Sequence, residues 1–179
     1  VNSIRNGKIK INGKIITNPN YFFNPKKLIV RINNETIKPI PKLYFIMNKP
    51  AGYLSQKSDD EKTIYDLLKN LKISGTALNS LFAVGRLDKQ TEGLLIITND
   101  GKLSSLLTNP ENGIIKKYYA VLEKPIDKNR IKMIENGIEI RIDAEKYKTK
   151  PCRIKITGEK EVYISTLEGR KRQIRKMLE

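Results

Sequence analysis

The sequence predicts an α+β fold in two parts: a small basic segment over residues 1–42 and a larger domain over residues 43–179. Three observations carry this expectation. In runs such as "KKLIVRI" and "KKYYAVL" apolar and polar residues alternate, the period of a half-buried strand. In "TIYDLLKNL" the apolar residues recur at helical spacing instead. Between the parts lies "KPIPK" at 38–42, a two-proline linker that ends a stretch holding nine Lys/Arg and one Glu.

Along the first part, "IRNGKIKINGKIITNP" reads as a helix end stopped near Gly7, a strand from Lys8 to Ile11, a tight Asn12-Gly13 turn, and a second strand from Lys14 to Thr17. "KKLIVRI" supplies a further strand with Leu28, Val30 and Ile32 on one face. In the second part, "LYFIMNKP" is a strand ended by Pro50. "TIYDLLKNL" is a short amphipathic helix that lines up Ile64, Leu67, Leu68 and Leu71. "GLLIITNDG" is a strand ending in a turn, and "KLSSLL" begins a helix. In "KKYYAVL", Tyr118, Ala120 and Leu122 share one strand face while Tyr119 and Val121 take the other, so at least one of the two tyrosines is expected to be core. "PCRIKIT" and "EVYISTL" are two more strands. "KRQIRKMLE" starts a basic helix with Ile174, Met177 and Leu178 facing inward. The chain opens at Val1 inside a helix and stops at Glu179 with a helix still running, so further elements are expected beyond both ends.

Composition bounds the function. Hydrophobic residues at 39% suffice for a core. A formal charge of +16 and a pI near 9.8 point to a polyanionic partner. No apolar run approaches the roughly 18 residues of a membrane span, and a soluble intracellular protein with no membrane partner is expected. Cys152 stands alone and reads as an apolar filler. With no histidine in the chain, Ser-His-Asp triads, Cys-His pairs and histidine metal sites are all excluded. Phosphate-cradling glycine motifs are missing too. Any chemistry therefore rests on carboxylates, tyrosines, lysines and arginines, and no metal site is expected. Helix amino-terminal charge accounts for the acidic run at 59–61. Asp100, in the "NDG" turn, is given no catalytic role.

One carboxylate stands out. Asp88 follows Arg86 by two residues, ahead of the apolar run Leu94–Ile97. "VGRLDKQTEGLLIITNDG" around it resembles the catalytic signature of the RNA pseudouridine synthases. The family's other motifs follow in order. "NKPAGYLS" (48–55) resembles the first motif, "KKYYAVL" the segment that supplies an active-site tyrosine, matching at Tyr118, and "LEGRKRQIRKML" the third motif, matching at Arg175. The basic amino-terminal segment resembles the latter part of an S4-type RNA-binding domain. The pairing is that of the S4-domain-containing branch that modifies ribosomal RNA, and "KTKPCRIKI" followed by "EGRKRQIRKML" is most similar to its large-subunit enzymes.

The resemblance implies a pseudouridine synthase fold, with a mainly antiparallel sheet and a central cleft, preceded by a truncated S4-type domain. It implies an isomerase acting on one uridine of ribosomal RNA, without cofactor, as a monomer, in a bacterial cytoplasm or an organelle of bacterial descent. Asp88, Tyr118 and Arg175 become the catalytic set, with Arg175 approaching Asp88 as a charge pair. Arg86 fills the space of an extruded nucleotide, and Tyr118 stacks on the flipped base. Further RNA contacts are assigned to Arg5, Lys8, Lys10, Lys14, Lys171 and Arg172. Whether the aspartate attacks the ribose, attacks the base or removes a ribose proton stays open. The rival function is a ribosome-assembly factor that binds RNA without catalysis, for which Asp88 would be unnecessary. DNA binding is disfavoured because no helix-turn-helix pattern occurs.

Overall fold

In the computed structural model, which describes residues 1–24, 28–38 and 40–179, the chain folds as two units, Val1–Pro41 and Lys42–Glu179. Lys26 and Lys27 of the expected third strand and Pro39 of the linker lie outside the described residues.

The first unit opens with a single helical turn, α1 (Asn2–Arg5), and continues into a four-stranded antiparallel sheet in the order β2-β1-β3-β4. Its strands are β1 (Ile9–Ile11), β2 (Lys14–Ile16), β3 (Val30–Ile32) and β4 (Glu35–Ile37). Asn12 and Gly13 both have positive φ, 48° and 84°, as the predicted two-residue hairpin requires. The β3–β4 hairpin was not visible in the sequence. It turns on Asn33-Asn34, at φ 49° and 69°, where asparagine tolerates the left-handed region that glycine usually supplies.

The second unit begins with β5 (Tyr44–Lys49), α2 (Ile64–Leu68), α3 (Gly75–Ser80), β6 (Phe82–Val84), β7 (Gly93–Thr98) and α4 (Gly101–Thr108). There follow β8 (Lys116–Val121), α5 (Lys128–Glu135), β9 (Glu139–Ile142), β10 (Glu145–Lys148), β11 (Arg153–Gly158), β12 (Glu161–Thr166) and α6 (Gln173–Leu178). Instead of one sheet, the described strands form two three-stranded sheets, β5-β7-β6 and β11-β12-β8, and a β9-β10 hairpin, with antiparallel pairing throughout. Alternation in a sequence reports which face of a strand is buried, not which strand pairs with its edge.

Each sheet carries its own core. Ile64 and Leu68 of α2 pack with Leu81, Leu95 and Ile97 on the first. The second core joins Ile134 of α5, Ile140 of β9 and Met177 of α6, with Ile154, Ile174 and Leu178 against them. Side-chain caps set the starts of α2 and α4. Thr63 and Asp66 form a capping box at α2, and its hydrogen bonds, first from Lys69 and then from Thr63, hold the Asp66 carboxyl down to about 2. Asp100 caps α4 by accepting from Lys102 N and Leu103 N, so the "NDG" turn is a helix start.

Candidate active site

Asp88 lies on the connection between β6 and β7, which runs from Gly85 to Glu92. Gly85 (φ +76°) and Gly93 (φ +128°) mark its two ends in backbone conformations that side chains rarely adopt. Between them the loop is fixed through its main chain. Ser55 Oγ accepts from Leu87 N at 3.1 Å and donates to Leu87 O at 2.8 Å. Gly52 N donates to Lys89 O at 2.8 Å, and Thr91 N closes a turn onto Asp88 O at 3.0 Å.

Beneath the loop sits Lys49, fully buried at 0% exposure. Antiparallel pairing puts it opposite Gly93, where β7 begins. Its ammonium donates to Thr91 O (2.8 Å), Pro50 O (2.9 Å) and Lys89 O (3.2 Å), satisfying all three protons. Burial lowers its pKa, and the carboxylates of Asp88 and Glu92 oppose that shift. The sequence motif containing Lys49 and Ser55 assigns a role to neither. Its legible signal is a lysine closing an apolar strand immediately before a proline.

Tyr118 faces this loop from β8, on the second sheet. Its hydroxyl pKa is raised, by burial first and then by the negative charge of Asp88. Gly169 closes the same corner, since a Cβ there would stand 3.9 Å from the Tyr118 hydroxyl. Tyr119 takes the opposite strand face and is 51% exposed. The expectation that one tyrosine of the pair is core is therefore corrected: Tyr118 is half-buried beside Asp88, and Tyr119 faces solvent because that face of the sheet has no covering layer among the described residues.

Arg175 reaches the loop from α6, donating from Nη2 to the Gln90 carbonyl at 3.3 Å. Among the described residues no ion pair joins it to Asp88. Its guanidinium holds the backbone two residues further on, in place of the expected charge pair. The segment leading into α6 is fixed by a buried carboxylate that the sequence did not single out. Glu168 accepts from Tyr147 Oη (2.5 Å), Lys150 N (2.8 Å) and Gln173 Nε2, while Gln173 Oε1 accepts from Arg170 N at 2.9 Å.

Asp88, Tyr118 and Arg175 thus converge, with Arg86 exposed on the same loop. Lys171 and Arg172 are exposed at the start of α6, where Lys171 pairs with Asp143 at 2.6 Å. Arg172 has φ +53°. In the first unit Arg5 and Lys8 are exposed, and Lys10 donates to Asn34 at 2.9 Å. Register puts Lys10 beside Arg31 on one sheet face and Lys14 beside Ile11 on the other, so the assigned lysines do not share one surface. Of the acidic run, Glu61 pairs with Lys89 on the loop rather than serving α2, whose first-turn acid is Asp66. Among the described residues no cluster could hold a metal ion, and no helix is long and apolar enough to cross a membrane.

A family model described as RNA pseudouridylate synthase matches residues 43–179. The chain belongs to that family. It is an RNA pseudouridine synthase, an isomerase. The synthase is 33% identical to ribosomal large subunit pseudouridine synthase B of Bacillus subtilis (strain 168), over 98% of this chain and 71% of that protein. It is 29% identical to ribosomal small subunit pseudouridine synthase A of Salmonella typhimurium, over 97% of this chain and 73% of that one. A crystal structure of a pseudouridylate synthase matches with a TM-score of 0.68 and 30% identity, covering 98% of this chain and 73% of the other.

Proposed function

We propose that the synthase isomerises a uridine of large-subunit ribosomal RNA, with Asp88 as the group that starts the reaction on a flipped-out nucleotide. The observation that supports this most is a carboxylate on a main-chain-clamped loop, facing a half-buried tyrosine whose hydroxyl titration it perturbs. Ribosomal RNA as substrate is suggested by the named relatives of both subunits. The large-subunit choice rests on the likeness of "KTKPCRIKI" and "EGRKRQIRKML" to that group. Uridine becomes pseudouridine when the N1–C1′ bond breaks, the base rotates and C5 bonds to C1′. Nothing is added, so no redox group is required.

In this reading extrusion of the nucleotide costs a few kcal/mol. Arg86, exposed on the loop, offers a flat cation to the vacated stack. Tyr118 stacks on the extruded base, and Arg175 braces the loop through Gln90. Lys171 and Arg172, with Arg5, Lys8, Lys10 and Lys14 of an S4-type module, contribute phosphate contacts. Pseudouridine mapping in ribosomal RNA from cells lacking the protein tests the assignment. One large-subunit site should disappear, return with the wild-type protein and stay absent with Asp88→Asn. Loss of a small-subunit site instead would reassign the substrate.

Two further outcomes are expected. Because stacking on an aromatic ring contributes about 1–3 kcal/mol per base, Tyr118→Leu should lower kcat/KM by roughly 5- to 150-fold. Tyr119→Leu, at an exposed position, should shift stability by no more than about 0.5 kcal/mol. Single-turnover rates at saturating RNA and thermal melts of the two variants separate them. In the first unit, replacing Lys8, Lys10 and Lys14 with Gln should flatten the slope of log affinity against log salt by about 0.7–0.9 for each phosphate no longer neutralised. An unchanged slope would remove these lysines from the interface.

A further inference from the structure

The outward face of the β11-β12-β8 sheet is unused by the site described above. Strand alternation puts it on the reverse of Tyr118, so it cannot serve the same nucleotide. Register aligns Lys155, Tyr163 and Tyr119 in one row across the three strands, and Arg153, Ser165 and Lys117 in the next. The Tyr119 and Tyr163 rings stand 5.3 Å apart between centroids, tilted by 49°. Lys117 Nζ lies 4.8 Å from the centre of the Tyr163 ring, which leaves Tyr119 the more open of the two. Val121, next along β8, is 69% exposed. Against these three cations the same strands turn one carboxylate outward, Glu161.

We propose that this face is a second RNA-binding surface, a stacking platform for an unpaired segment of the substrate RNA distant from the target uridine. The proposal rests on the synthase's acting on RNA. The occupant follows from chemistry. Ring faces beside a net positive charge suit a strand that offers both exposed base faces and phosphates, and this is how sheet surfaces bearing aromatics recognise single-stranded RNA. A duplex keeps its base faces stacked internally and gives the tyrosines nothing to stack on. An acidic protein surface would satisfy the cations and leave the two rings unexplained. A chain of charge +16 also opposes docking of a second copy through a basic face.

The test uses the protein carrying Asp88→Asn, so that binding is read without turnover. A ten-nucleotide oligouridylate with one 4-thiouridine is cross-linked and the attachment site mapped, and affinity is followed by fluorescence anisotropy. Cross-links should map to Tyr119 or Tyr163 and be competed by unlabelled single strand but not by duplex. Tyr119→Ala with Tyr163→Ala should weaken binding by roughly 5- to 150-fold for each stacked base lost, with the salt slope unchanged. The double Phe variant should restore binding, since it keeps both rings. Lys117→Gln with Lys155→Gln should instead flatten the salt slope by about 0.7 per phosphate released. Cross-links confined to other residues, a loss below twofold in the Ala variant, or equal losses for duplex would each overturn the platform. Self-association abolished by the same Ala substitutions would overturn it in favour of a contact between copies. Turnover by the Asp88→Asn protein would sink the catalytic assignment of Asp88 and leave this result standing.

Discussion

Asp88→Asn should abolish isomerisation while RNA binding stays within about twofold of wild type. An amide can neither attack carbon nor take a proton, so whichever of the three routes operates, the starting step is lost. General acid–base work alone supplies about 10²–10⁴ in rate, and the loss should be at least of that order. Binding should survive because phosphate contacts dominate it and none of them involves this side chain. The fold should survive as well. Ser55, Gly52 and Lys49 hold the loop through carbonyl and amide groups of neighbouring residues, which asparagine leaves in place. A spectroscopic readout accompanies the kinetic one. Asp88 is one of two causes that raise the Tyr118 hydroxyl, so removing its charge should bring that pKa down toward the ordinary 10, with burial still holding it above. Titration of tyrosinate absorbance, using Tyr118→Phe to assign the signal, measures this. A wild-type rate in the Asn variant would show that another group starts the reaction and would remove Asp88 from the catalytic set.

The parts of this site legible in the sequence were those with a local signal. Asp88 and Arg86 sit in a long, ordered signature. The Tyr118/Tyr119 alternation told the two faces of β8 apart, and strand alternation also placed Val30 and Ile32 of β3 together. What alternation could not supply was the layer beyond each face. Alternation puts one tyrosine of the pair in the core, yet Tyr118 is half-buried and Tyr119 lies in solvent, because burial depends on a covering element that β8 does not encode. The Arg175–Asp88 pair failed for a related reason. A motif brings α6 to the loop, but the rotamer of a long guanidinium chooses among nearby acceptors, and the Gln90 carbonyl is the one it meets. α5 has no clear signal in the sequence although Asp127 caps it and Ile131 and Ile134 bury one face, since Ile131, Met133 and Ile134 among three basic residues give a weak period. In the sequence Glu168 and Gln173 stand only as part of a basic motif. That they form a buried hydrogen-bonded pair is a tertiary fact.

Lys49→Met should separate stability from activity. The ammonium makes three charge-assisted hydrogen bonds, each contributing about 1.5–3 kcal/mol, and its burial costs several kcal/mol in lost hydration. These terms oppose one another, and methionine fills nearly the same volume without the hydration cost. The net change in stability should therefore be small, within about 2 kcal/mol of wild type. Activity has no such compensation. Two of the three bonds end on Lys89 O and Thr91 O, within the turn that Asp88 opens, and without them the loop keeps the Ser55 and Gly52 clamps and the Arg175 contact to Gln90 O. A shift of about 1 Å in a reacting group costs on the order of 10²-fold in rate, so kcat should fall by about that factor while KM moves little. Lys49→Arg should behave differently. It keeps the charge but forces a larger head into a site with no exposed surface, which costs about 1–3 kcal/mol in packing. Melting curves and single-turnover rates for both variants decide the matter. If Lys49→Met kept the wild-type kcat, the buried ammonium would be an element of the fold alone, and the loop would owe its position to Ser55, Gly52 and Arg175.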